Sequence, residues 1–208
     1  MKIAIIGATG KAGHNILQEA LRRQLDVTAI VRNREKLTEN VPVIEKEITQ
    51  LTTNDIMPFD VVVNAFGAPA GNESLHVTVG RHLIDIFSSV NTRLIVVGGA
   101  GSLYTDDTKT VRIMDTPDFP EAYFATASQQ GQNLIDLQQS TVNYTFLSPS
   151  AFFDAEDKRT GHYRVGQDVL LTDTEGNSYI SYADYAIALV DEMENPQFIK
   201  QRFTVSRA

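Results

Sequence analysis

Short runs of apolar residues alternate along the chain with longer segments in which apolar residues recur every three or four positions. Continuous apolar runs are typical of strands buried on both faces, whereas the longer period is typical of amphipathic helices. The pattern therefore predicts six strands separated by four helices and one helical turn. The strands cover residues 2–6, 27–31, 41–46, 60–65, 93–97 and 144–147; the helices cover 11–24, 34–40, 75–90 and 121–139, with the turn at 53–57.

This strand–helix alternation predicts an α/β fold, a doubly wound parallel sheet of the Rossmann type with helices on both faces. After residue 150 the rhythm changes. We expect a single domain over residues 1–208, with the Rossmann core at 1–150 and a small C-terminal, substrate-side lobe at 151–208. The elements predicted in that lobe are short strands at 163–165, 169–172 and 178–180, a helix at 185–194 and a last strand at 202–205.

Two local signals refine this outline. The sequence Ser181-Tyr182-Ala183-Asp184 has the form of a capping box, with aspartate in place of the usual glutamate, and it opens the last helix. Residues 98–120 fit neither period and are rich in glycine, aspartate and proline. Because they follow a central strand at the carboxyl edge of the predicted sheet, we interpret them as a lid over a binding site or as a partly disordered surface loop.

Composition excludes several classes of protein. The 208 residues include no cysteine, so disulfides, thiolate nucleophiles and cysteine-bound metals are excluded. The histidines stand at no spacing typical of metal ligands, so we expect no metal site. No apolar run is long enough to span a membrane, and the start MKIAII lacks the form of a secretory signal. Together with the lack of cysteine, this leads us to expect a cytoplasmic protein.

Charge is unevenly distributed along the chain. The net charge of -8 argues against nucleic-acid binding by the protein itself. Residues 1–36 nevertheless contain seven lysines and arginines against three acidic residues, a balance of +4, so the remaining residues carry -12. The electropositive segment is therefore the N-terminal one, which suits an anionic ligand.

Three glycines stand in that segment between the first strand and the first helix, at the spacing G-x-x-G-x-x-G. Gly7 permits a tight turn, Gly10 lets backbone N–H groups approach a pyrophosphate, and Gly13 lets the helix pack closely on the sheet. The helix N-terminus adds free N–H groups and the positive end of its dipole. The residues that we expect to contact a dinucleotide here are Gly7, Thr9, Gly10, Lys11, Ala12 and Gly13.

With Ala8, Thr9 and Lys11 between its glycines, this turn resembles that of the extended and atypical short-chain dehydrogenase/reductases. The resemblance covers nearly the whole chain. Within these families, the chain most resembles NAD(P)H-binding flavin-reductase-like proteins, a group that includes relatives of biliverdin reductase B and NmrA-like regulators. The resemblance implies a nicotinamide cofactor and a Rossmann-type fold. The segments that carry it are Gly7–Gly13, Val31-Arg32, Asn64-Ala65-Phe66-Gly67, Val96-Val97-Gly98-Gly99, Leu147-Ser148-Pro149 and Ser181–Ala186.

The end of the second predicted strand indicates which cofactor is preferred. NAD-specific sites usually carry an acidic residue there, which binds the ribose 2′-hydroxyl. Here the strand ends in Val31-Arg32, and an arginine at this point suits a 2′-phosphate, so we expect NADP(H) to be preferred over NAD(H). The alternative interpretation is that Arg32 is a solvated surface residue with no role in binding. After the fourth strand, Ala65, Phe66 and Gly67 are expected beside the adenine ribose, or Phe66 belongs to the core.

Catalytic residues are harder to identify. Typical short-chain dehydrogenases use Tyr-x-x-x-Lys, and the nearest match here, starting at Tyr123, has Ala127 in place of the lysine. Without that cation Tyr123 is a weak acid or base near neutral pH. Tyr123 and Ser102 remain the catalytic candidates, each with a structural alternative, as a helix-start residue and as a turn serine. We expect Ser102, Tyr123, Pro149 and Phe152 to line the substrate pocket.

These features predict an NADPH-dependent oxidoreductase that reduces a flavin, a quinone or a similar flat acceptor, because such a reaction depends mainly on alignment and stacking. The alternative is a non-catalytic, NADP(H)-sensing regulator of the NmrA-like type. A nucleotide-sugar epimerase or dehydratase ranks last, because it needs the missing tyrosine–lysine pair. We expect a monomer or homodimer whose partner is a small-molecule acceptor, with neither nucleic acid nor membrane involved.

Overall fold

The buried apolar runs of the sequence form the strands of a sheet. The computed structural model describes residues 1–208. All six strands predicted before residue 150 are present, although the third is shorter than predicted. The ten strands are β1 (Lys2–Ile6), β2 (Asp26–Val31), β3 (Val43–Glu45), β4 (Val61–Asn64), β5 (Arg93–Val97), β6 (Tyr144–Ser148), β7 (Phe152–Asp154), β8 (Tyr163–Gly166), β9 (Tyr179–Ser181) and β10 (Gln201–Arg207).

Eight of these strands form one sheet in the order β3-β2-β1-β4-β5-β6-β10-β8. Every neighbouring pair is parallel except β10 and β8, which are antiparallel. The chain runs from β1 outward to β3 and then returns to β4 on the other side of β1. This reversal creates a crevice at the carboxyl ends of β1 and β4, where open α/β sheets bind their ligands. The predicted doubly wound parallel sheet is confirmed.

Helices cover both faces of this sheet. Successive strand residues point to opposite faces, so Ile3 and Ile5 pack with α1 and α5, whereas Ala4 and Ile6 pack with α3 and α4. No helix combines the length and the hydropathy needed to cross a membrane. The helices are α1 (Lys11–Arg22), α2 (Thr53–Ile56), α3 (Leu75–Phe87), α4 (Glu121–Gln138) and α5 (Tyr182–Glu194).

Two predicted elements are wrong. The helix predicted over residues 34–40 is a single 3₁₀ turn, Arg34–Lys36, because Leu37 adopts extended backbone and packs against the core beside α1. The strand predicted over residues 169–172 does not form. Val169 makes only an isolated bridge to Tyr104, and β8 pairs with the distant β10 instead of with this nearby segment.

Residues 151–208, predicted as a substrate-side lobe, divide between two places. Strands β7 and β9 form a separate two-stranded parallel sheet. The other elements join the main body, because β10 extends the large sheet beside β6 and α5 packs against α1. At the start of α5, the Asp184 N–H donates to the Ser181 hydroxyl oxygen at 3.0 Å, which is half of the predicted capping box. The Asp184 carboxylate instead accepts hydrogen bonds from Thr160 and Gly161.

A network of ion pairs joins α1 to α5. Glu19 on α1 is buried, and its carboxylate accepts hydrogen bonds from Arg22, Arg23 and Arg159. Arg23 continues the network to two carboxylates of α5, including Asp191 at 2.6 Å. Burial by itself raises the pKa of Glu19, but hydrogen bonds from the three arginines outweigh it and lower the pKa from 4.5 to about 2.

This lowered pKa predicts an acid-dependent contribution to stability. Because the pKa of Glu19 is lower in the folded state, the stabilisation is complete above about pH 5 and is lost as the pH falls towards 2. Replacing Glu19→Gln should lower the free energy of unfolding at pH 7 by about 1–2 kcal/mol, since Arg22 and Arg159 are partly exposed to solvent. In urea unfolding, the gap between wild type and variant should shrink from pH 6 to pH 2.5. A gap that stays constant over that range contradicts the prediction.

Candidate functional site

In the glycine turn between β1 and α1, three backbone segments pack closely: the turn itself, the start of α1 and the segment after β4. Gly7 has a φ of +76°, and a Cβ at this position would lie 2.9 Å from the carbonyl oxygen of Ala65, just after β4. A Cβ on Gly13 would lie only 2.2 Å from the carbonyl oxygen of Gly7. No side chain fits at that distance, so glycine at position 13 lets α1 start directly against the turn. At Gly7 and Gly13 the turn therefore brings backbone against backbone with no side chain between, as a pyrophosphate-binding turn requires.

The first turn of α1 leaves backbone donors free. The N–H groups of Lys11, Ala12 and Gly13 make no hydrogen bond within the protein, and no side chain caps the helix at Gly10. The first turn also lacks an acidic residue, which would offset the positive end of the helix dipole. The side chains of Thr9 and Lys11 are exposed beside these donors. The arrangement suits a bound phosphate group.

Two arginines without an ion-pair partner follow β2. Neither Arg32 nor Arg34 forms a salt bridge. Both line an open pocket of about 620 Å³, which they share with Glu45. The Glu45 carboxylate accepts a hydrogen bond from the backbone N–H of Arg34 at 3.1 Å. The sequence analysis missed Glu45, which is brought there by the pairing of β3 with β2; the order of strands is the signal that would have identified it.

The segment after β4 contributes backbone to this crevice. The N–H of Ala65 donates to the carbonyl oxygen of Ile6, which places Ala65 against the glycine turn. The ring of Phe66 packs against the hydrophobic core and lies edge-on to His76, with 5.8 Å between ring centroids. A Cβ on Gly67 would have no heavy atom within 4 Å. The structure thus places Ala65 at the crevice and uses the Phe66 ring in packing.

Residues 98–120, interpreted from the sequence as a lid or a surface loop, are packed against the protein in two places. Leu103 and Met114 are buried, and Ile113–Asp115 forms a 3₁₀ turn. Ser102 is also buried, because Arg202 on β10 donates hydrogen bonds to its carbonyl oxygen at 2.7 Å and to its Oγ at 3.2 Å. Ser102 is therefore held by the sheet instead of standing open in the crevice.

Close packing occupies the position where typical short-chain dehydrogenases carry a lysine. Ala127 on α4 is buried, and a Cβ on Gly101 would lie 2.5 Å from the Cβ of Ala127. A lysine side chain at position 127 would meet the backbone of Gly101. One helical turn earlier, the side chain of Tyr123 is 66% exposed at the start of α4. The structure therefore contains no tyrosine–lysine pair.

Aromatic side chains lie beyond the end of β6. Pro149 is buried, whereas the side chain of Phe152 is 61% exposed. The two phenylalanines of β7 point in opposite directions, as neighbours on a strand do. Phe153 points inward and stacks on Tyr182, with 3.7 Å between ring centroids. Phe152 is thereby left as an open aromatic face at the carboxyl edge of the sheet.

These groups form a strip along one edge of the sheet. The carboxyl ends of β2 and β6 are four strand spacings apart, a distance of about 19 Å. Cationic Arg32 follows β2 at one end, the free N–H groups of α1 follow the neighbouring β1, and Phe152 follows β6 at the other end. This is the order of groups that an extended dinucleotide needs, with a flat reactive ring at its far end. Tyr123 is exposed at the start of α4.

Comparison with known proteins agrees with this geometry. A family model described as NAD(P)H-binding matches residues 7–196. The Bacillus subtilis (strain 168) protein YwnB is 58% identical over 208 residues, which cover 99% of this chain and 98% of that protein.

Solved structures are similar over the full length. SP1627 from Streptococcus pneumoniae TIGR4, described as a candidate NADH-flavin reductase, is 42% identical, with a TM-score of 0.96 over 100% of both chains. ChuY, an anaerobilin reductase from Escherichia coli O157:H7, shares the fold with a TM-score of 0.76 at 18% identity. It covers 100% of this chain and 97% of its own.

Proposed function

The chain belongs to the NAD(P)H-binding family, and from this premise we propose that it is an oxidoreductase that transfers a hydride from NADPH to a flavin, a quinone or a similar flat acceptor. The observation that carries the proposal is the first turn of α1, where the N–H groups of Lys11, Ala12 and Gly13 are free beside the glycine turn. The likeness to SP1627, described in terms of flavin reduction, supports the choice of acceptor.

The preference for NADPH is supported by the pocket after β2. The guanidinium groups of Arg32 and Arg34 have no carboxylate partner, so either is free to form a charge-assisted fork with a 2′-phosphate. The hydrogen bond from the Arg34 N–H to Glu45 fixes the backbone between these two side chains. Glu35 and Glu45 also line the pocket, so the two arginines must outweigh two negative charges for NADPH to be preferred.

The proposed mechanism depends on binding and alignment. When bound, the dihydronicotinamide supplies a hydride, and water supplies the proton that completes the two-electron reduction of the acceptor. The free N–H groups of α1 bind the pyrophosphate, and Ala65 contributes backbone beside the ribose. Phe152 offers an open aromatic face against which a flat acceptor stacks. Tyr123, exposed at the start of α4, is a second candidate for contact with the acceptor.

A turnover assay tests this proposal directly. Purified protein is mixed with NADPH and a series of flavins and quinones, and the nicotinamide absorbance is followed. We expect oxidation of NADPH with at least one of these acceptors. Clear NADPH binding without turnover on any of them would refute the oxidoreductase and favour an NADP(H)-sensing regulator. The packing of Gly101 on Ala127, which leaves no room for the catalytic lysine, is the observation that keeps this second function in view.

Reversing the charge of Arg32 tests the cofactor preference. Arg32→Glu should raise the Kd for NADPH about 10- to 100-fold, because it removes a charge-assisted contact worth roughly 1.5–3 kcal/mol. The Kd for NADH should change about twofold or less. Both constants are measured by the fluorescence of the bound dihydronicotinamide.

A matched control is Lys36→Glu, which makes the same charge change at an exposed residue that does not line the pocket. Its effect on NADPH binding should be about threefold or less at 0.15 M salt, because an exposed charge that makes no direct contact in the pocket is screened by salt. Equal weakening of NADPH and NADH binding by Arg32→Glu would exclude the 2′-phosphate role.

A further inference from the structure

A cleft opens beyond Phe152 at the carboxyl edge of the sheet. Its volume is about 800 Å³, within the range of small-molecule sites. Because β10 runs parallel to β6, its last residues reach the same edge as the end of β6, and the cleft continues the strip formed by the rest of the site. The side chains that define it are Phe152, Arg164, Asn177, Ser178, Tyr179 and Arg207.

One wall of the cleft is a fixed aromatic layer. The rings of Phe152 and Tyr179 lie 5.5 Å apart at an interplanar angle of 30°, and the guanidinium of Arg207 lies 4.4 Å above the Tyr179 ring. The Tyr179 hydroxyl lies within hydrogen-bond distance of both Asp154 and Asp157 and shares its one hydrogen between them, and Arg207 pairs with Asp157 as well. The charge of Arg207 is therefore already balanced, and its role in the cleft is to hold the aromatic wall.

Arg164 differs from Arg207 because it has no carboxylate partner. Its Nε donates to the carbonyl oxygen of Arg207 at 3.0 Å, and its other hydrogen bonds go to the carbonyl oxygen of Thr172 and the hydroxyl of Ser206. These neutral acceptors orient the guanidinium, which forms no salt bridge with any carboxylate. The carboxylate of Asp173 also lines the cleft and attracts the Arg164 charge, but its hydrogen bonds come from the N–H groups of residues 175 and 177 in its own turn.

From this arrangement we infer that the cleft binds an anionic arm of the acceptor, a phosphate or carboxylate, and that Arg164 is the cation that recognises it. The inference rests on the proposed function, because it needs a flat acceptor stacked on Phe152. From there an arm attached to the ring extends along the aromatic wall towards Arg164. A guanidinium that neutral acceptors orient, and that forms no internal salt bridge, binds an oxyanion well, since no ion pair has to be broken first.

Flavin mononucleotide and riboflavin separate ring binding from arm binding, because they share the ring and differ in the phosphate. We expect the wild type to reduce flavin mononucleotide with a kcat/KM about tenfold above that for riboflavin. Arg164→Gln should lower the ratio of these two values about tenfold, the size of one charge-assisted contact. Arg164→Lys should restore part of it. The matched control is Arg81→Gln, at an exposed arginine of α3 outside the cleft, which should leave the ratio unchanged.

A binding measurement distinguishes failure of this inference from failure of the proposed function. Flavin fluorescence is titrated in the presence of NADP⁺, with no turnover required. Tighter binding of flavin mononucleotide than of riboflavin, lost in Arg164→Gln, supports the inference even if neither flavin is reduced. Equal binding of the two flavins, or equal weakening of both in Arg164→Gln, overturns it even if both are reduced. Thermal unfolding confirms that each variant is folded.

Discussion

Replacing Gly13→Ala is expected to remove tight NADPH binding and to destabilise the protein by about 3 kcal/mol, because the added Cβ would lie 2.2 Å from the carbonyl oxygen of Gly7. The contact is with backbone, so no side-chain rotation relieves it. Either α1 moves away from the turn or the turn opens, and both shift the free N–H groups of the first helical turn. We expect the Kd for NADPH to rise about 100-fold, measured by fluorescence titration.

Gly67→Ala is the matched control for this prediction. It makes the same chemical change at the same edge of the sheet, but its Cβ would have no heavy atom within 4 Å. Its free energy of unfolding should therefore stay within about 0.5 kcal/mol of wild type. If Gly13→Ala binds NADPH as tightly as the wild type does, the close approach of α1 to the glycine turn is not what builds the pyrophosphate site.

The core of the fold was predictable because its signals are local. Parallel strands covered on both faces are continuous apolar runs, and β1, β4 and β5 could be recognised from their own residues. The pairing of β8 with β10 was not predictable in this way. These strands are separated by more than 30 residues, and β8 carries an exposed side chain at Val165 that does not mark a buried strand. Its partner is chosen by the position of β10 next to β6.

The residues of the candidate site likewise divide into those that local sequence signals predict and those that long-range strand pairing places. The glycine turn and Arg32 belong to a strand–turn–helix unit whose sequence predicts its geometry. Glu45 and Arg202 act at long range, because each reaches the site from a strand placed by the order of the sheet. The capping box shows how far a local motif predicts contacts. The predicted hydrogen bond to the Ser181 hydroxyl forms, but the Asp184 carboxylate accepts a hydrogen bond from Thr160, more than 20 residues earlier in the chain.

After β5, close packing of Gly101 takes the place of a catalytic lysine. In typical short-chain dehydrogenases a lysine on the helix after β5 faces the nicotinamide ribose. In this chain Gly101 approaches Ala127 so closely that the segment after β5 fills that position. The same segment continues to Ser102 and is fixed there by Arg202. The loss of the lysine is therefore coupled to a different path of the backbone, and restoring the lysine alone would not rebuild its site.

At the opposite edge of the sheet, a buried ion pair fastens α5 to the strands. Arg93 of β5 and Glu192 of α5 are each about 95% buried and form a salt bridge. Arg93 also donates to Thr145 of β6, and the Glu192 carboxylate accepts the backbone N–H groups of Gln197 and Phe198, both at 2.9 Å. The network therefore ties β5, β6 and α5 to the segment that leads into β10.

Replacing Glu192→Gln should reduce the free energy of unfolding by about 3–5 kcal/mol, because it leaves the Arg93 charge buried without a counter-charge. That is a large part of the roughly 5–15 kcal/mol typical of a folded domain. Adding Arg93→Met to Glu192→Gln should recover at least half of the loss, since removing both charges also removes the cost of burying one alone. Arg112→Gln, which breaks a half-exposed pair with Asp115, should cost less than about 1 kcal/mol in the same urea unfolding experiment. A double variant no more stable than Glu192→Gln would show that shape and hydrogen bonding, rather than the paired charges, hold α5 to the sheet.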